Sequence, residues 1–111
     1  MTDGRLTIEA QTDGAGTILV LDGEVDPHTT EQLDGAIDEA FTADARLVLD
    51  LRGVTFIDSA GLRSLIRAQR RADDADGSLV LRAPRPSTLR VLEITGLTDE
   101  LTVEAASDAT G

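Results

Sequence analysis

The run Leu47-Val48-Leu49-Asp50-Leu51-Arg52-Gly53-Val54-Thr55-Phe56-Ile57-Asp58-Ser59-Ala60-Gly61-Leu62 joins a strand pattern to a helix pattern. Leu47, Val48, Leu49 and Leu51 form a short apolar run, the reading expected of a strand covered on both faces. Arg52-Gly53 interrupts it and predicts a connecting turn. Val54, Phe56 and Ile57 are apolar again, and Asp58-Ser59 leads into a helix whose first turn starts at Ser59. A serine hydroxyl there lies beside unpaired backbone N–H groups and the positive end of the helix dipole. Two roles fit that position. Ser59 or Asp58 can be an N-cap, or Ser59 can be a hydroxyl placed to receive a phosphate.

On the N-terminal side, Leu6–Thr12 alternates apolar and polar residues and predicts a strand with one buried face. Asp13-Gly14-Ala15-Gly16 predicts a hairpin turn, two glycines being able to take positive φ. Thr17–Leu21 is continuously apolar and predicts a central strand, ended by Asp22–Asp26. Asp26-Pro27 predicts a helix start, with Asp as N-cap and Pro at the first helical position. Leu33, Ala36, Ile37, Ala40 and Phe41 then form one apolar stripe. Gly35, on the other face, weakens that helix by roughly 1 kcal/mol relative to Ala. Strand, helix and the strand at Leu47–Leu51 make a crossover, so these two strands are expected to be parallel.

On the C-terminal side, Leu62, Leu65, Ile66 and Gln69 share one side of the helix after Ser59, and Arg63, Arg67, Arg70 and Arg71 another. Asp73–Gly77 ends it, Ser78–Arg82 predicts a strand, and Pro86–Thr95 a short helix closed by Gly96. Leu101–Val103 predicts a last edge strand. The fold class is α/β: one domain over 1–111 (core about 5–105, flexible tail 106–111), with a small mixed sheet of four to five strands, an N-terminal hairpin and helices packed on the sheet.

The composition excludes several functions. The 111 residues suit one domain, and a net charge of −11 argues against nucleic acid or an anionic membrane as partner. Two Phe with no Tyr or Trp leave an aliphatic core and no platform for stacking bases. No Lys occurs, which removes amine chemistry. No Cys occurs, and His28 alone cannot build a His metal site, so neither metal nor cofactor is expected. Asp73-Asp74-Ala75-Asp76-Gly77 resembles the start of a calcium loop but lacks the downstream Glu. No charged-then-apolar leader and no membrane-length apolar run is seen, so the chain is read as cytoplasmic.

Three segments, in order, resemble the STAS domain of bacterial anti-sigma factor antagonists (anti-anti-sigma factors): Gly23-Glu24-Val25-Asp26-Pro27-His28-Thr29-Thr30-Glu31-Gln32-Leu33, Gly53–Leu62, and Pro86–Leu97. The resemblance implies a STAS-like fold and a partner switch acting in transcription regulation. An anti-sigma factor serine kinase would phosphorylate Ser59. The unphosphorylated protein would bind that anti-sigma factor and free its sigma factor, and a phosphatase would reset the phosphoprotein. Ala60 stands where the best-known members have Ser or Thr, leaving Ser59 as the single hydroxyl of the motif. From Ala105 onward a short polar tail replaces the family's last helix.

Ser59 is therefore the expected phosphorylation site. Asp26, His28, Thr29, Asp58, Ala60, Gly61, Leu62, Arg63 and Arg67 are the expected partner-binding residues, with Arg63 and Arg67 facing acidic groups on the partner. An enzyme is not expected. Ile57-Asp58-Ser59-Ala60-Gly61 lacks the glycine two positions before the serine of a nucleophile elbow, and Asp50 lacks the lysine a receiver-type phosphate would need. The alternative is a STAS accessory or scaffold subunit, of a lipid transport or stress-signalling complex, in which Ser59 stays unmodified.

Overall fold

A computed structural model describes residues 5–13 and 16–105, and shows the elements in the order β1 (Leu6–Asp13), β2 (Gly16–Val25), α1 (Thr30–Ala43), β3 (Arg46–Ile57), α2 (Ser59–Asp74), β4 (Ser78–Arg82), α3 (Pro86–Ile94), a 3-10 turn (Leu97–Asp99) and β5 (Thr102–Glu104). The five strands lie in sequence order in one sheet. β1 and β2 form the antiparallel hairpin, with Leu6 opposite Gly23 and Asp13 opposite Gly16. β2, β3, β4 and β5 are parallel neighbours. The expected Gly14-Ala15 turn and the tail at 106–111 lie outside the described residues.

Each parallel crossover steps to the adjacent strand in the same direction, and a right-handed connection each time puts α1, α2 and α3 on one face of the sheet. Burial agrees. Leu19, Leu21, Leu47, Leu49, Leu79 and Leu81 join Leu33, Ile37, Phe41, Leu65 and Leu92 in one apolar cluster. The alternate residues Ile18, Val20, Val48 and Val80 are only half-buried. This corrects the expectation for Leu47–Leu51, since β3 is covered on one face only. A run as apolar as Leu47-Val48-Leu49 suggests two covered faces, yet flanking strands alone shield Val48 from much of the solvent.

The expected turn at Arg52-Gly53 is also corrected. β3 continues to Ile57, and its pairing with β2 slips at two places, Val20/Asp22 and Gly23/Glu24. At each slip β3 carries one extra residue, as in a β-bulge. The inward residues are therefore Leu47, Leu49 and Leu51, and then Val54 and Ile57 at a spacing of three. The Asp50 carboxylate accepts a hydrogen bond from the Arg52 N–H (3.0 Å), which holds the first irregularity in place.

The helices follow their sequence signals more closely. Leu33, Ile37, Ala40 and Phe41 of α1 are buried as the stripe requires. Its start differs: α1 begins at Thr30, and Asp26–Thr29 forms a separate turn before it. α2 ends with Asp76 in the left-handed region (φ 56°). Gly77 N–H donates to Ala72 O (2.8 Å) and Asp76 N–H to Asp73 O (3.2 Å), a Schellman closure. Gly96 (φ 78°) follows α3 at Thr95, as its position predicts. Among the described residues no helix is long and apolar enough to cross a membrane.

Candidate functional site

Parallel strands β2 and β3 end side by side, Val25 pairing with Ile57. The next residue of each, Asp26 and Asp58, is thereby brought to the same sheet edge, and Asp58 N–H donates to Val25 O (3.2 Å). This edge lies at the carboxyl ends of the parallel strands, where open α/β sheets place their binding residues.

Asp58 is extended (φ −112°, ψ −168°), the N-cap geometry. Its Oδ1 accepts from the Ala60 N–H (2.9 Å) and the Gly61 N–H (3.1 Å). The capping thus falls to Asp58. Ser59, the first helical residue, is exposed to solvent. Ala60 is half-buried, and Gly61 and Leu62 are buried. A Cβ on Gly61 would lie 2.6 Å from Ile57 Cγ1 and 2.8 Å from Val25 Cγ1. That glycine therefore lets the head of α2 press directly onto the ends of β2 and β3.

The Asp26 turn is built in the same way. Its Oδ1 accepts from His28 N–H (2.9 Å) and Thr29 N–H (3.2 Å). The Thr29 hydroxyl donates to Glu24 O (2.9 Å) and accepts from Asp26 N–H (3.0 Å). Asp26 therefore organises a turn, not the helix start expected of it. His28 is exposed, while Thr29 is only 4% exposed.

Arg63 is exposed and has no ion-pair partner among the described residues. Arg67 reaches across to α1, its Nη2 donating to Asp34 Oδ2 (2.6 Å) and to the buried Ser64 Oγ (3.1 Å). Arg71 pairs with Asp38 (2.7 Å) and lies 6.0 Å from the centre of the Phe41 ring. The arginine face of α2 is thus partly a clamp between helices.

Asp26, His28, Asp58, Ser59, Ala60 and Arg63 accordingly share or border one accessible surface. Thr29, Gly61 and Leu62, expected on the partner face, are instead buried beneath it: Thr29 by its hydrogen bonds to the Asp26 turn, Gly61 by its close approach to Val25 and Ile57, and Leu62 as part of the apolar core. The sequence reading missed Phe56, which is 49% exposed. The signal was present, since Phe56 is one of only two Phe in a sequence without Tyr or Trp. Among the described residues no group of His, Asp and Glu gathers as a metal site.

Fold and site together define a small one-sided α/β domain that presents an exposed serine at a helix start. The chain belongs to the STAS domain family: the family model described as "Mlab, STAS domain" matches residues 8–104. It is similar to the anti-sigma F factor antagonist of Paenibacillus polymyxa, 29% identical over 95 residues that span 84% of this chain and 81% of that one. A second relative is the anti-sigma F factor antagonist of Lysinibacillus sphaericus, 28% identical over 82 residues, covering 72% and 70% of the two chains. The crystal structure of an anti-sigma factor antagonist from Mycobacterium paratuberculosis superposes with a TM-score of 0.83 at 26% identity, covering 94% of this chain and 89% of that one.

Proposed function

We propose that this chain is an anti-sigma factor antagonist switched at Ser59. Unphosphorylated, it binds an anti-sigma factor kinase, which then lets go of its sigma factor. The kinase transfers the γ-phosphoryl group of ATP to Ser59 Oγ. ADP leaves with the electrons of the broken bond, and a base on the kinase takes the hydroxyl proton. A phosphatase hydrolyses the ester and restores the binding form. The family and the names of its relatives support this reading. The observation that carries it is the division of labour at the head of α2. Asp58 caps the helix, so the exposed Ser59 hydroxyl is not committed to it.

A phosphoserine brings about −1.5 to −2 charges and three acceptor oxygens. Here it would join an edge that already holds Asp26 and Asp58. A partner fitted to a neutral hydroxyl then meets like-charge repulsion and an imperfectly paired dianion, which costs several kcal/mol. Each ~1.4 kcal/mol is tenfold in affinity. The helix dipole still favours the phosphate within its own chain. Asp26, His28, Asp58, Ala60 and Arg63 border the surface that the partner reads.

The test incubates the protein with ATP and the anti-sigma factor kinase of its host and records intact mass. One added phosphate, abolished by Ser59→Ala, is expected. Ser59→Asp is expected to weaken kinase binding at least ~30-fold, about 2 kcal/mol. Unchanged mass, or equal binding by Ser59→Asp, would overturn the switch. One observation favours a second reading, an accessory or scaffold subunit without phosphorylation. The Ala60 and Gly61 N–H groups that a phosphate would use are already held by Asp58. Kinase binding with no phosphate transfer would select that reading.

A further inference from the structure

Helices α1 and α2 are tied together by ion pairs with a fixed offset in sequence. Arg67 pairs with Asp34 and Arg71 with Asp38, each across 33 residues. Both rows step by four residues, which keeps their members on one helix face. One step nearer the head of α2, the same offset sets Arg63 against Thr30, which has no charge to offer. Glu31, the acidic residue in the first turn of α1, makes no ion pair with it either. The ladder thus ends on an exposed, unanswered cation. Its place is unfavourable as well, since a positive charge so close to a helix N-terminus opposes the dipole.

A further step of four along the same row is Ser59. Side chains at i and i+4 start about 5–6 Å apart, and an anion preceding the cation is the favourable order. The backbone donors at the head of α2 are nearly all taken. Asp58 N–H donates to Val25 O, and the Ala60 and Gly61 N–H groups donate to Asp58 Oδ1. That leaves the Ser59 N–H, and a phosphate brings three strong acceptor oxygens. A guanidinium offers a planar fork of donors that matches phosphate geometry.

We propose that Arg63 is the partner of phosphorylated Ser59 within its own chain. The inference rests on the reading of Ser59 as the phosphorylation site. In the unphosphorylated protein the Arg63 guanidinium is free to meet an acidic group of the anti-sigma factor. In the phosphorylated protein it turns back one helical turn onto the phosphate. Modification then adds an anion to the edge that holds Asp26 and Asp58, and withdraws an exposed cation from the same surface.

The test installs phosphoserine at position 59 of the full chain during translation, so that it needs no kinase, and follows the phosphorus resonance against pH. The guanidinium favours the dianion, so the titration midpoint is expected about 0.3 pH lower than in the Arg63→Gln phosphoprotein. Arg63→Lys keeps the charge without the fork and is expected to retain part of that difference. Molar salt is expected to shrink it. Asp26 and Asp58 act in the opposite direction and are common to all variants. Arg70→Gln removes an equal charge from the exposed surface of α2 about three turns away, beyond a Debye length, and is expected to leave the midpoint in place. His28, the other basic side chain at this edge, is checked by His28→Gln. Equal midpoints for wild type and Arg63→Gln would overturn the proposal. So would an equal change in Arg70→Gln, or a change that follows His28 instead. A chain that the kinase leaves unmodified counts against the switch itself, whereas equal midpoints count against the Arg63 contact alone.

Discussion

Asp58 and Ser59 are adjacent and chemically able to do each other's work, and geometry assigns the tasks. A carboxylate in extended backbone at the N-cap reaches the N–H groups two and three residues on. A hydroxyl at the first helical position points to solvent instead. Asp58→Ala is therefore expected to cost about 1 kcal/mol of folding stability, and Asp58→Asn only a few tenths, because an amide oxygen can accept the same bonds. Urea unfolding of the three proteins measures the difference. If Asp58→Ala left stability unchanged, the cap would not be supporting α2. The sequence allowed either residue to cap, since both types are favoured there, and only the backbone conformation separates them.

At the scale of elements, β3 shows how far periodicity carries. The apolar positions Leu47, Leu49, Leu51, Val54 and Ile57 are all buried, and all were visible in the sequence. Their change of spacing from two to three was read as a turn at Arg52-Gly53. It is instead two bulges, which exist only relative to β2 and have no local signature apart from that spacing. Helix α1 was easier, because a stripe at helical spacing is a property of the element itself. Gly35 lies on its exposed side with open space where a Cβ would be. Gly35→Ala is therefore expected to stabilise the domain by about 0.5–1 kcal/mol, seen as a higher denaturant midpoint at unchanged slope. A lower midpoint would mean that the helix uses the glycine in some other way.

For the whole molecule the dominant fact is charge. Twenty-one acidic residues face ten arginines, and the ion pairs among the described residues lie on the surface, where each contributes little. Self-repulsion is then the larger electrostatic effect on stability. Adding sodium chloride at neutral pH is expected to raise the thermal midpoint by a few degrees as repulsion is screened. A falling midpoint in a calorimetric scan would show that the pairs outweigh the repulsion.

The sequence by itself determined the α/β class, the hairpin, the three helices, the aliphatic core and the serine at the head of α2. Each of these is written in neighbouring residues, as periodicity, turn chemistry or charge. Tertiary structure alone decided that the sheet is covered on one face, that Thr29, Gly61 and Leu62 lie beneath the site, and that Arg67 is spent on Asp34. These outcomes depend on which distant segments meet, and a residue's exposure is set by what packs against it rather than by its neighbours in the chain.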